Sequence, residues 1–107
     1  MAVDRTVKTL CDEANLFDIY ISNRGVKGII HFRNKEIHIN PAFWNERVET
    51  FVHEMLHYYH DVIKSNNLGK DEEFIIENCM KIYMKNEDNK KYVEEYLRDK
   101  DINYRVG

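Results

Sequence analysis

FVHEMLHYYHD, residues 51–61, decides how the rest of the chain is read. It places three of the five histidines and two acids in one apolar run. His53 and His57 are four residues apart. On a helix that spacing sets both imidazoles on one face, one turn apart, able to hold one Zn2+ ion. Glu54 follows His53 directly and reaches a water on that ion without taking a coordination position, so each letter of HExxH has a mechanism behind it. Zinc lowers the pKa of such a water toward about 7 and polarises a scissile carbonyl. The glutamate takes the proton and passes it to the leaving amine. The competing reading is an amphipathic helix with histidines on its solvated face. Val52, Met55 and Leu56 pack the opposite side, and this context favours the metal.

A catalytic zinc needs a third protein ligand and an open fourth position. His60 lies a further turn along the same helix, about 10 Å from His53 by helical rise, so one ion does not easily bind all three histidines. His60 reads as a supporting or exposed residue. The extended pattern HExxHxxGxxH is absent, because residue 60 is His where that pattern has Gly. The third ligand is therefore expected to be a carboxylate of the next helix, from Asp71, Glu72, Glu73 or Glu77. If the two helices fold back about a loop centred near residue 67 or 68, His57 faces residue 78 and Glu77 stands beside the metal. Glu72 and Glu73 then fall roughly 6 to 8 Å too far along. As acids in a first helical turn they also suit the helix macrodipole. Glu77 ranks first and Glu73 second, ahead of Glu72 and Asp71, and a non-parallel helix pair would shift the ranking.

Working outward, residues 2–14 place Val3, Val7, Leu10, Cys11 and Ala14 at helical spacing, with Asn15 as the stop. FDIYIS (17–22), VKGIIHF (26–32) and EIHIN (36–40) read as three short strands, the last two as a hairpin around RNK. Pro41 ends the third strand, since proline cannot donate to a ladder. Asn45 or a neighbour is expected to cap the HExxH helix, which runs to about Ser65. SNNLGK (65–70) is a loop. Asp71 then caps a third helix, DEEFIIENCMKIYMK, whose apolar residues on nearly every side predict a central, buried element. A last helix covers roughly Asp88 to Arg98. The order of helix, three strands and three helices makes the class α+β.

Composition sets the outer bounds. The 107 residues form one compact domain, 1–107, with a modest core. With 16 Lys and Arg spread among 19 Asp and Glu, the net charge of −3 argues against a nucleic-acid partner, which wants a concentrated basic patch. No apolar run approaches the roughly 18 residues of a membrane helix. The N-terminus has no apolar signal core, and the chain is expected to be cytoplasmic. Cys11 and Cys79 form no CxxC pair. They read as small buried apolar residues in a reducing compartment, with a disulfide between them as the alternative.

The remaining polar candidates have bland readings as well as functional ones. His31 and His38 lie in the hairpin, as substrate-side contacts or as ordinary sheet-face histidines. Asp61, one turn beyond His57, can orient a ligand imidazole or stand in solvent. Tyr58, Tyr59 and Tyr83 are oxyanion donors or core residues. Trp44 anchors the sheet to the helix.

A helix, a hairpin reading GIIHFRNKEIHINPAFW, the HEMLH helix and a following glutamate helix together resemble the minimal zincin fold. At about 100 residues the chain is most similar to the minigluzincins, single-domain soluble gluzincin metallopeptidases. The resemblance covers nearly the whole chain, and HEMLH is its one highly specific motif. It implies zinc ligands His53 and His57, Glu54 as general base, and a third-ligand glutamate on the helix carrying Glu73 and Glu77. Many gluzincins continue that ligand as ExxA or ExxD, whereas Glu77 continues as ENCM, which leaves the third ligand open. The resemblance also implies that an edge strand, EIHIN or its partner, binds a peptide by strand addition. Some minigluzincins are latent zymogens. Here the tail 99–107 can reach the cleft, or a neighbouring copy, with Asp101, Tyr104 or the terminal carboxylate, the alternative being a frayed end.

The expected function is a zinc-dependent endopeptidase acting on peptides or unfolded protein. The alternatives are a non-catalytic, zinc-stabilised interaction domain and an SprT-like small zincin. The missing basic patch and missing third histidine count against the last.

Overall fold

The computed structural model describes residues 2–100 and the backbone of 105–106. The described residues form four helices and a small sheet: α1 (Arg5–Ala14), α2 (Arg47–Tyr58), α3 (Glu72–Met84) and α4 (Glu87–Asp99). Strands β1 (Asp18–Ile21), β2 (Gly28–His31) and β3 (Glu36–Ile39) lie between α1 and α2 in sequence. The α+β class and the order of elements follow the sequence pattern. Among the described residues no helix is long and apolar enough to cross a membrane.

The core gathers around α2, which buries Val48, Phe51, Val52, Met55 and Leu56. Helix α1 adds Val7, Leu10, Cys11 and Ala14, the set its 3.6-residue period picks out. The sheet adds Ile19, Ile37 and Ile39. The expectation that α3 is the central helix is corrected. Phe74 and Ile82 on α3 are 71% and 66% exposed, and α3 buries only Ile76, Met80 and Met84. A helix apolar on most sides still needs neighbours on those sides, and α3 packs on α2 and α4 with its outer face left open. Cys11 and Cys79 are free thiols, and burial, with help from Asp12, pushes the Cys11 thiol up to about 12.

The strand order is β2-β3-β1, with a two-residue β4 (Arg105–Val106) beside β1. β2 and β3 form the expected antiparallel hairpin, with Ile30 opposite Ile37 and His31 opposite Glu36. β1 pairs with β3 in parallel, so EIHIN is an interior strand and its partner β2 is the open edge. β4 lies at the other edge. Asp101 and Tyr104, the tail groups considered as cleft blockers, lie outside the described residues.

Glu46, the neighbour of Asn45, stands at the start of α2 without a side-chain cap bond, and the helical run leading into it begins earlier, at Asn40. Its Oδ1 accepts from the Ala42 N–H at 2.9 Å and opens a 3-10 segment, Pro41–Glu46, that leads into α2. Its Nδ2 donates to Asn23 Oδ1 and Val26 O, tying the β1–β2 connection to the same point.

Gly28 sets how closely β2 approaches α2. A Cβ there would stand 2.4 Å from Thr50 Cγ2 and 3.3 Å from His38 O. Thr50 is buried and β-branched, with little freedom to move aside. Gly28→Ala is expected to destabilise the fold by about 1–3 kcal/mol through overpacking, measured by urea unfolding. An unchanged midpoint would mean that the strand simply shifts outward at no cost.

Candidate metal centre

Edge strand β2, helix α2 and helix α3 enclose an open cleft of about 610 Å3. Val26, Ile30, Phe32 and Met80 supply apolar wall, while His53, Glu54, His57, Glu73 and Glu77 supply its polar floor. The helical period of α2 produces this division, with the histidines on the face opposite the buried Val52, Met55 and Leu56.

The two imidazoles sit 5.1 Å apart by ring centroid. Glu73 spans them, with Oε2 3.1 Å from His53 Nε2 and Oε1 2.8 Å from His57 Nε2. The other nitrogen of each ring has its own carboxylate. His53 Nδ1 lies 2.9 Å from Glu77 Oε1, and His57 Nδ1 lies 2.6 Å from Glu72 Oε2. Carboxylates on both Nδ1 atoms would hold those nitrogens as N–H donors when a cation takes the place between the two Nε2 atoms and Glu73. That is the outer support which metal-binding histidines normally have.

His53, His57 and Glu73 offer donor atoms that all lie within 4.8 Å of one another. Two imidazoles and one carboxylate are the donor set of a catalytic zinc. Glu54, Glu72 and Glu77 crowd the same pair of rings, an excess of negative charge that a divalent cation would balance. The residues fit a metal ion. They do so with Glu73 between the rings, whereas Glu77, ranked first from the sequence, meets the outer nitrogen of His53.

The difference traces to the turn between the helices. After Tyr58 the chain takes a π-helical turn, Tyr59–Ile63, and reverses at Ser65, whose φ of 50° is left-handed. The helices therefore run level about residue 65 instead of 67 or 68, which brings Glu73 to His57 and Glu77 to His53. Asn66 N–H closes the reversal on His60 O at 2.7 Å. The wider turn also aims Asp61 at Glu72. Asp61 thus acts one step further out than expected, supporting the carboxylate that holds His57. Burial and its hydrogen bond with Glu72 raise the Asp61 carboxyl. Burial also works to raise Glu72, but hydrogen bonds with His57 and Asp61 outweigh it and hold Glu72 below the usual range.

His60 is half-buried, edge-on to Tyr59, and its Nδ1 has no hydrogen-bond partner among the described residues. Tyr58 packs against Phe17 and Phe32, and neither it, Tyr59 nor Tyr83 lines the cleft. Trp44 packs against the core under the Arg47 guanidinium, as an anchor. Lys27 and Glu46, an ion pair at 2.9 Å, form a rim that no motif in the sequence flagged.

Burial pushes the Glu54 carboxyl up to about 7, against the pull of His53 and His57, with Glu73 adding to the rise. Its ordinary value is 4.5. Between the two values the metal-free folded chain keeps a proton that the unfolded chain has released. This contribution to stability is full below the unfolded value and is lost as pH rises through the folded one. Metal-free protein is expected to lose about 2–3 kcal/mol from this group between pH 4.5 and pH 8. Glu54→Gln should flatten that slope in urea melts of chelator-treated protein. Parallel slopes for wild type and variant would place the titration elsewhere.

The chain matches no family model, no curated protein and no solved structure.

Proposed function

We propose that the chain is a zinc-dependent endopeptidase of gluzincin type, similar to the minigluzincins, with His53, His57 and Glu73 as metal ligands and Glu54 as general base. The observation that carries this reading is the Glu73 carboxylate seated against both Nε2 atoms while Glu77 and Glu72 hold the two Nδ1 atoms. Bound zinc would supply Lewis acidity and a nucleophilic water at neutral pH.

The chain's own groups do the rest. Glu54 stands in the cleft beside the ligand rings, placed to accept a proton and then return it to a leaving amine. Glu77 and Glu72 keep the imidazoles in one tautomer and one orientation. β2 has β3 on one side, and its other side bounds the cleft. An extended peptide would add there as a further strand, its amides on β2 and its apolar side chains on Val26, Ile30 and Met80. The partner is accordingly a peptide or unfolded protein. The backbone of 105–106 pairs with β1, at the sheet edge away from the cleft.

Elemental mass spectrometry of the dialysed wild type beside His57→Ala tests the metal. The expected result is about one zinc per chain more in the wild type than in the variant. A folded wild type that holds no zinc and refuses added zinc would end the peptidase reading.

A further inference from the structure

The face of the sheet turned away from α2 carries a second set of metal-type donors. Side chains alternate along a strand. Ile37 and Ile39 point into the core, so Glu36 and His38 point outward. On β2 the partner register puts His31 opposite Glu36 and Ile29 opposite His38, so His31 joins them on the outer face. We propose that His31, Glu36 and His38 form a second divalent-cation site of zinc type, separate from the cleft.

Three observations carry this. The donor atoms of the three residues lie within 4.8 Å of one another, as close as those of the cleft set. His38 is only 3% exposed, yet both its ring nitrogens are engaged, Nε2 at 3.2 Å from Glu36 Oε1 and Nδ1 at 2.7 Å from the buried Ser22 Oγ. Its ring is held from two sides, stacked on Tyr20 at 4.9 Å and met edge-on by His31 at 5.5 Å. A neutral imidazole has one N–H. Without a cation, Nε2–H donates to Glu36 and the serine hydroxyl donates to Nδ1. With a cation the hydroxyl turns and accepts from Nδ1–H, which frees the Nε2 lone pair beside the Glu36 carboxylate. Ser22 is suited to both states because a hydroxyl donates and accepts, and it then serves His38 as Glu77 serves His53. His31 is exposed, with its ring already against His38. A cation bound there would clamp the end of β2, the strand whose Gly28 and Ile30 line the cleft.

The probe is Zn2+ itself, added to a His53→Ala/His57→Ala chain that lacks the cleft donors. One zinc per chain is expected by calorimetry, with ring-nitrogen resonances of His31 and His38 shifting on addition and the melting temperature rising. His31→Ala or Glu36→Gln in that background should weaken uptake at least tenfold. A folded double variant that takes up no zinc, or whose uptake is indifferent to both further changes, overturns the proposal. Should the double variant fail to fold, the same ring resonances followed in the wild-type chain decide, because unmoved His31 and His38 signals at saturating zinc exclude the site. Neither outcome depends on whether the cleft binds metal or cleaves peptides.

Discussion

Glu54→Gln is expected to lower peptide hydrolysis by about 10²–10⁴-fold, the usual worth of a positioned general base, while zinc content stays at the wild-type level. The substitution keeps the shape of the side chain and removes its ability to accept a proton. Glu54 has no place among the ligand atoms that converge on Glu73, so the metal should not notice its loss. Hydrolysis of an unstructured protein and of a quenched peptide pool gives kcat/KM, and mass spectrometry of the same samples gives metal content. Near-wild-type turnover in the variant would remove Glu54 from the mechanism. Loss of zinc together with activity would make it structural. Zinc-loaded wild type and variant that are equally inert would favour the zinc-stabilised interaction domain.

Glu73 and Glu77 should separate by an order of magnitude or more in zinc affinity. Glu73→Ala removes the carboxylate seated against both Nε2 atoms, and losing one ligand is worth on the order of 10²–10³-fold if the binding energy of a four-donor site is shared evenly. Glu77→Gln leaves an acceptor on His53 Nδ1 but takes away its charge, a change of the kind that costs about 10–100-fold. Chelator competition at fixed pH measures both. The reverse order would restore Glu77 as the ligand and place Glu73 outside it. Glu73 is the more exposed side chain, 76% against 43% for Glu77, so Glu73→Ala should leave folding intact and the affinity loss readable.

Much of this was legible from local signals. The period of α1 named its four buried residues, and the hairpin was visible in the alternation of GIIHF and EIHIN. HExxH placed two imidazoles and an acid on one helix face because that spacing depends only on the helical repeat. Where the reading failed, the information was not local. The apolar residues of α3 pointed to a central helix, but burial depends on how many neighbours arrive. The hairpin was clear, yet the parallel seating of β1 on β3, which makes β2 the open edge, comes from a long-range pairing that no short window encodes.

The carboxylate between the two imidazoles shows the boundary most sharply. By itself the sequence determined the class, α+β, the pair His53 and His57, the adjacent Glu54, and the fact that the next helix would bring carboxylates near. Only the tertiary structure decided which carboxylate stands between the two rings. A π-helical turn and one left-handed residue at Ser65 moved the helix pairing by about one turn, and one turn separates Glu73 from Glu77. Helical spacing along a chain follows from backbone geometry alone. The register between two helices follows from a turn whose shape is set by packing on both sides of it.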